Sequence, residues 1–171
     1  YLKKNYPDSK SDLFAVFIER CGQMIIDNAY QAMITQHSWM FLSSFEKLRK
    51  KMMQNEIINM AHLGARAFEE IGGEVVQTAS FVIQNFKIQE YLGIYCRLID
   101  AISQDTKEIE FFHKKNRYYT KQSNFTVIPG GIIAYWLSSN LIRDFSLGLP
   151  LGRIAFPRQG LATSNNDKYL R

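Results

Sequence analysis

EIINMAHLGARAFEEIGGEVVQTASFVIQ, residues 56–84, holds two apolar runs joined by a short, glycine-punctuated link. The runs Ile57–Leu63 and Val75–Ile83 have strand length, lack helical spacing and are rich in β-branched or small residues. Because the link is too short for a crossover helix, the two strands are predicted to be antiparallel neighbours. Near-continuous apolar runs indicate strands covered on both faces, so the fold class predicted is α/β.

The composition is that of a globular chain with a mild positive charge. Its 171 residues are 46% hydrophobic and 22% charged, with a net charge of +5 and a pI of about 9.2. That charge permits a polyanionic partner without requiring one. Cys21 and Cys96 lie far apart in apolar segments, which indicates free thiols in a reducing compartment and predicts a cytoplasmic protein. No apolar run reaches the roughly 18 residues of a membrane span, and we expect no membrane partner.

The first hundred residues alternate helical and strand patterns. Apolar residues at three- and four-residue spacing predict a helix over Leu13–Ile26, capped by Ser11 or Asp12. Short apolar runs predict strands at Tyr30–Gln36 and Tyr91–Ile99. Between the first of these strands and the residue 56–84 stretch, a helix is predicted over about Ser43–Gln54. Its charged side chains are expected on a solvated face; they are Lys47, Arg49, Lys50 and Lys51.

The remainder is more polar and more varied. Helices are predicted over Ser103–Lys115, anchored by Ile109 and Phe111 or Phe112, and over Ile132–Phe145, ended by Gly148 and Pro150. The intervening RYYTKQSNFTVIPGG is expected to be extended and turn-rich, and the mixture of aromatic and basic residues up to Phe125 suits nucleic acid. A linker that packs on the domain through its aromatics is the alternative. The DNA-contact candidates of the whole chain are Arg66, Lys114, Lys115, Arg117, Lys121 and Arg158.

No catalytic triad or metal motif can be assembled from this sequence. The chain has three histidines, which are predicted in a loop (His37), a strand (His62) and a charged helix (His113), and no Ser/His/Asp set forms around them. The two cysteines show no metal-ligand spacing. The residues by themselves therefore indicate half of a mildly basic α/β domain and no reaction.

A family resemblance adds to this interpretation. The pattern HLGARAF followed by an apolar strand resembles the end of the catalytic domain in adenine-specific DNA methyltransferases, and within them the type found in BREX phage-defence systems. The order of further segments also matches: DLFAVFIERC, YQAMITQ, FEKLRKKM, then IPGG, IAYW and QGLATSNND. The resemblance implies the second half of a Rossmann-like methyltransferase sheet with a terminal antiparallel hairpin and helices on its faces. It divides the chain into residues 1–100, the carboxyl-terminal half of the catalytic domain, 101–147, a helical connector, and 148–171, the truncated start of a target-recognition region.

The resemblance also implies particular roles. In that family an aromatic residue in this loop stacks on the flipped-out adenine, and Phe68 is the matching position; the alternative is that Phe68 only packs under its loop. The start of the first long helix lies near the pocket for S-adenosylmethionine, which makes Asp12, Leu13 and Phe14 candidates to line it; a cap followed by core residues is the alternative.

The catalytic and donor-binding motifs of that family are missing here. The sequence has no NPPY tetrapeptide and no GxG-type loop after an early strand, so we expect both before Tyr1 in a longer protein and an isolated chain without activity. The partners implied are double-stranded DNA and other subunits of a phage-defence system. Two other classes stay open: the second half of another nucleotide-binding enzyme, and a non-catalytic interaction module.

Overall fold

A computed structural model describes residues 1–68 and 76–156. Within them the strands are β1 (Tyr30–Gln36), β2 (Glu56–Gly64), β3 (Thr78–Gln84), β4 (Leu92–Arg97) and β5 (Arg117–Lys121). The α-helices are α1 (Leu2–Asn5), α2 (Leu13–Met24), α3 (Glu46–Met52), α4 (Gln104–Phe112), α5 (Ser123–Thr126) and α6 (Ser139–Leu147). Short 3-10 segments lie at His37–Met40, Ser43–Phe45, Lys114–Asn116, Pro129–Gly131 and Leu151–Arg153. None of these helices is both long and apolar enough to cross a membrane.

The five strands form one mixed sheet in the order β1-β3-β2-β4-β5. β3 is antiparallel to both β1 and β2, β4 is parallel to β2, and β5 is antiparallel to β4. The antiparallel pair predicted within residues 56–84 is therefore confirmed, and the strand predicted at Tyr30–Gln36 is β1, which lies one strand away from β2. The α/β class is confirmed as well.

Strands β1, β2 and β4 run in the same direction, so their carboxyl ends meet at one edge of the sheet. We call this the carboxyl edge; it is marked by Gln36, Gly64 and Arg97. The register of β2 against β3 shifts between His62 and Gly64, which is a bulge at this edge. Gly64 has a φ of +69°, and a Cβ there would lie 3.0 Å from the Cα of Ile99. Only glycine fits where the chain leaves β2 in this way.

The core lies on one face of the sheet, under α2, α3 and the irregular segments that follow α5. The largest fully buried side chains include Trp39, Phe81, Tyr95, Phe125 and Ile133. Phe45, Leu48 and Met52 are buried, as the apolar face predicted for the α3 region requires. The stretch predicted as an extended linker contributes strand β5 to the sheet and Phe125 to the core.

The predicted helix Ile132–Phe145 is wrong in its first half. Helix α6 begins only at Ser139, where the Ser138 hydroxyl caps the Leu141 N–H at 3.4 Å. The preceding residues are irregular, and the Ile133 N–H donates to the Met40 carbonyl at 3.1 Å. Ile133 and Tyr135 are buried, so their contacts with the core outweigh the helical spacing of the sequence.

The environments of several side chains differ from the predicted ones. In α4 the predicted anchors Ile109, Phe111 and Phe112 are all exposed, whereas Lys107 is buried and donates to the carbonyls of Leu98 and Ala101 at 2.9 and 2.6 Å. In α3 Arg49 is 1% exposed instead of lying on a solvated face. Lys107 and Arg49 can be buried because backbone carbonyls accept their hydrogen bonds. The spacing of apolar residues in a sequence does not reveal such partners.

Candidate functional site

The carboxyl edge is the part of this sheet where a ligand site is expected. Ligands of open α/β sheets bind outside the carboxyl ends of the strands. Three segments leave the sheet here: the 3-10 turn that begins at His37, the chain from Gly64 to Phe68, and the turn after Arg97. Each of them brings an aromatic, imidazole or cationic side chain to the same edge.

Phe68 lies four residues beyond the end of β2, on the carboxyl edge. Its side chain is 41% exposed. Arg66, in the same short segment, has a φ of +58°, so the chain turns sharply between Gly64 and Phe68. The side chain is therefore partly open to solvent, and stacking on a base requires an accessible ring. The stacking role assigned to Phe68 remains a prediction.

A buried hydrogen-bonded chain of three side chains lies behind this segment. The His62 Nε2 is 2.7 Å from the His37 Nδ1, and the His62 Nδ1 is 3.0 Å from the Tyr135 hydroxyl oxygen. His62 is 3% exposed and Tyr135 is 3% exposed. Both nitrogens of the His62 ring therefore have partners, which come from two different segments of the chain.

The electrostatic surroundings keep this histidine pair neutral. Burial lowers the pKa of His62 to about 3, and His37, Arg97 and Lys107 add to the effect because positive charge near the ring disfavours protonation. Burial also lowers the pKa of His37. Burial raises the pKa of the Tyr135 hydroxyl well above its usual range. At neutral pH the chain of three is therefore uncharged.

Aromatic rings surround the histidine pair at the edge. Phe41 lies 5.3 Å from the ring centroid of His37 and 6.0 Å from that of Trp136. The Arg97 guanidinium lies 5.4 Å from the Trp136 centroid, a cation–π distance. Phe41 and Trp136 are half-buried. Phe41 and Trp136 therefore form an apolar rim at the carboxyl edge, and the Arg97 guanidinium lies against this rim.

The topology brings four of the six DNA-contact candidates to this edge. Arg66 follows β2, and Lys114, Lys115 and Arg117 lie where β5 starts, since Arg117 pairs with Cys96 near the end of β4. Lys115 forms an ion pair with Glu110 at 3.4 Å. The Arg117 guanidinium lies 4.9 Å from the Phe111 ring centroid.

The remaining two basic candidates are not brought to the edge. Lys121 pairs with Leu92 at the opposite edge of the sheet and forms an ion pair with Glu90. Arg158 lies outside the described residues.

The candidates for the donor pocket lie at the start of α2. Asp12 is the N-cap, and its carboxylate accepts from the Phe14 N–H at 3.4 Å. Phe14 packs against Phe45 with ring centroids 5.5 Å apart, which places this end of α2 beside the chain that follows β1. Leu13 is 54% exposed. Of the three candidates, Leu13 presents the free apolar surface, and the other two have the capping and packing contacts that the alternative interpretation gave them.

Sequence reasoning missed the pairing of His37 with His62. The two residues are 25 positions apart and meet only because β1 and β2 flank β3. The one local signal is a histidine inside an apolar strand two residues before a glycine, and that pattern does not identify its partner. Among residues 1–68 and 76–156, no three His, Cys, Asp or Glu side chains are arranged to hold a metal ion.

The histidine pair predicts a stability that falls in acid. A histidine with a depressed pKa in the folded state contributes stability above its unfolded pKa of about 6.5, and loses it as pH falls toward the folded value. Unfolding free energy is therefore expected to fall between pH 6.5 and about 3, by a few kcal/mol attributable to His62. Urea titrations at several pH values measure this. In His62→Gln, which has no imidazole to protonate, the slope over that window should be shallower; an unchanged slope contradicts the assignment.

Comparison with known proteins agrees with the resemblance that the sequence suggested. Residues 1–68 match the family of Eco57I restriction-modification methylases. Over 178 aligned residues, covering 100% of this chain, it is 49% identical to the adenine-specific methyltransferase PglX of Lacticaseibacillus casei (strain Zhang). The similarity to PglX extends over the entire chain.

A second relative supports the same conclusion. The adenine-specific methyltransferase BrxX of Escherichia coli O9:H4 (strain HS) is 43% identical over 175 residues, again covering 100% of this chain. The chain spans 15% of the length of the first relative and 14% of the second. The match to the Eco57I family ends at Phe68, so it includes β1, β2 and the segment that leaves the carboxyl edge.

Proposed function

We propose that this chain is the base-holding part of an adenine-specific DNA methyltransferase of a BREX-type phage-defence system. The whole protein would transfer a methyl group from S-adenosylmethionine to the exocyclic amine of an adenine flipped out of double-stranded DNA. The observation that carries the proposal is the 49% identity to PglX over the full chain. The exposed ring of Phe68 at the carboxyl edge of the sheet supports it.

The sheet order supports a more specific placement in such an enzyme. We propose that β1, β3 and β2 are the last three strands of a Rossmann-like methyltransferase sheet, continued beyond β1 by chain that precedes this one. Among residues 1–68 and 76–156, β1 pairs with a strand on one side only, which suits such a continuation because an edge strand presents free backbone groups. The segments 101–147 and 148–171 would follow as a connector, part of which adds β5 to the sheet, and as the start of a target-recognition region.

The chemistry explains what this part of the protein must do. The amine of adenine is a weak nucleophile because its lone pair is conjugated with the ring, so the base must leave the stack and be held in a pocket. In our proposal Phe68 forms one wall by stacking on the base, worth about 1–3 kcal/mol. The cations beside it, Arg66, Lys114 and Lys115, would contact phosphates and position the duplex.

The described residues fit only one wall of a pocket for the methyl donor. Leu13 at the start of α2 is exposed and apolar, whereas the Asp12 carboxylate is already engaged with the Phe14 N–H. S-adenosylmethionine, when bound in the whole protein, supplies the methyl group. The role of this chain toward it would be to close the pocket with Leu13, while the groups that bind its charged parts come from elsewhere in the protein.

The direct test is methyl transfer by the full-length protein. We expect incubation with S-adenosylmethionine and double-stranded DNA to produce N6-methyladenine, measured by mass spectrometry of the digested nucleosides. Other defence subunits are added in a parallel reaction, because the activity can depend on them. DNA binding without methylated adenine in either reaction would contradict the proposal and favour a non-catalytic interaction module.

The isolated chain is expected to bind the methyl donor weakly or not at all. It lacks a GxG-type loop after an early strand, whose backbone N–H groups and following helix serve ligand binding in folds of this class. Isothermal calorimetry of residues 1–171 with S-adenosylmethionine measures this, with the full-length protein as the positive control. Micromolar binding by the isolated chain would show that the donor site has been placed wrongly.

A further inference from the structure

His62 is the point at which four segments of the chain meet at the carboxyl edge. Its ring contacts His37, from the turn after β1, at 2.7 Å, and Tyr135, from the irregular segment before α6, at 3.0 Å. Its backbone carbonyl accepts from the Leu98 N–H, just beyond β4, at 2.9 Å. His62 itself belongs to β2, so the strand that leads to Phe68 is joined to all three neighbours through this residue.

When both imidazole rings are neutral, the two hydrogen bonds of His62 must point in the same direction along the chain from His37 to Tyr135. If His37 donates to His62, then His62 donates to Tyr135; if Tyr135 donates to His62, then His62 donates to His37. The charged groups that face His62 are Arg97 on β4 and Lys107 on α4, and both oppose a proton on the ring. Removing the His62 ring therefore breaks both links at once.

The chain leaves β2 only two residues beyond His62. A Cβ built on Gly64 would lie 3.0–3.1 Å from the backbone and side chain of Ile99, so only glycine fits at this point. The bulge between His62 and Gly64 then sets the direction in which the next four residues leave.

We propose that His62 is a positioning residue for the target base: by joining the turn after β1 and the segment of Tyr135 to the end of β2, it fixes the direction of the Phe68 segment at the carboxyl edge. The proposal rests on the proposed function. If His62 has only a structural role, replacing it lowers the stability of the protein and nothing else. If it positions the target base, replacing it also lowers the rate of methyl transfer by more than a variant of the same stability does.

The variants that separate these two roles change contacts at opposite ends of one strand, β2. His62→Phe keeps a ring but removes both side-chain hydrogen bonds. Tyr135→Phe removes only one of them and keeps the ring that stacks on Tyr95 at 5.1 Å. The matched control is Gln122→Leu, because the Gln122 amide holds the opposite end of β2. It accepts from the Ile57 N–H at 2.9 Å and donates to the carbonyls of Met53 and Asn55 at 3.1 and 2.7 Å.

The measurement is steady-state methyl transfer by the full-length protein, together with melting temperatures. We expect His62→Phe to lower kcat by roughly 10- to 100-fold, because small misplacements of reacting groups have effects of this size. Tyr135→Phe should give a smaller loss of kcat, and Gln122→Leu should lower the melting temperature with kcat within about twofold of the unsubstituted protein. Equal losses of kcat in His62→Phe and Gln122→Leu, or an unchanged kcat in His62→Phe, would overturn the proposal.

A second readout does not depend on activity. Hydrogen–deuterium exchange is followed in peptides spanning residues 62–68 of the full-length protein. His62→Phe is expected to accelerate exchange there, and Gln122→Leu is expected to leave it unchanged. Unchanged exchange in His62→Phe contradicts the positioning role. If the unsubstituted protein methylates no adenine, the proposed function fails, and the exchange comparison still decides whether His62 fixes the segment that carries Phe68.

Discussion

Replacing Phe68 by Ala in the full-length protein is expected to lower kcat/KM for DNA methylation by roughly 5- to 150-fold. This range corresponds to the loss of about 1–3 kcal/mol of stacking on the target base, with 1.4 kcal/mol for each factor of ten. The melting temperature should hardly change, because the side chain is 41% exposed and its removal leaves no closed cavity. Methylation rates at several DNA concentrations and a thermal melt give both quantities.

Two further variants make the Phe68 result specific. Phe68→Trp should retain much of the activity, since a ring face is what stacking requires. Phe86→Ala is the matched control: Phe86 is 53% exposed and follows β3 at the sheet edge opposite Phe68, so its loss should leave methylation unchanged. Unaltered methylation with a lowered melting temperature in Phe68→Ala would leave packing under the loop as the role of this ring.

The strands of this chain could be predicted because their signals are local. Residues 56–84 contain both strands of the central pair, and the shortness of the link between them fixes their antiparallel pairing. The parallel pairing of β2 with β4 has no comparable local signal. This pairing depends on the path of residues 85–91, which connect β3 on one side of β2 to β4 on the other side. The sequence indicated only that a further strand lies at Tyr91–Ile99.

The errors occurred where tertiary contacts outweigh local pattern. The spacing of Ile133, Trp136 and Leu137 is helical, yet these residues lie before the helix begins at Ser139, because Ile133 is buried and its N–H is bonded to Met40. In α2 the large apolar side chain of Phe17 is exposed, whereas the small residue Ala15 is buried. A spacing pattern indicates that a face exists, while the neighbouring elements decide its direction.

The candidate site could be predicted only in part for the same reason. Phe68 was identified through a resemblance in sequence, and its position at a sheet edge follows from the strand that precedes it. The meeting of His37, His62 and Tyr135 depends on three separate segments, and none of the three residues indicates the others in the sequence. Lys121 looked equivalent to Arg117 in a basic stretch, but a strand of five residues places the two at opposite edges.

Arg49 is the misassigned residue with the largest expected energetic effect. Its guanidinium donates to the carbonyls of Trp39 at 2.8 Å and Leu42 at 2.7 Å, and to that of Gly130 from two nitrogens at 3.0 and 2.7 Å. It thereby joins α3 to the turn after β1 and to the Pro129–Gly131 segment. The three carbonyls have a charged donor that no apolar side chain of similar length can replace.

Arg49→Met is therefore expected to destabilise the chain by roughly 3–5 kcal/mol, since it removes the charged donor of the Trp39 and Gly130 carbonyls and one of the two donors of the Leu42 carbonyl, which also accepts from the Phe45 N–H. For a chain of this size that corresponds to a fall in melting temperature of about 6–20 °C. The matched control is Lys50→Met, the next residue of α3. Within the described residues Lys50 forms one ion pair, an exposed one with Glu46 at 2.7 Å, and its loss should cost no more than about 0.5 kcal/mol. Thermal melts and urea titrations measure the difference in unfolding free energy between the two variants. Equal stability would show that the hydrogen bonds of Arg49 contribute no more to stability than the loss of one positive charge from α3.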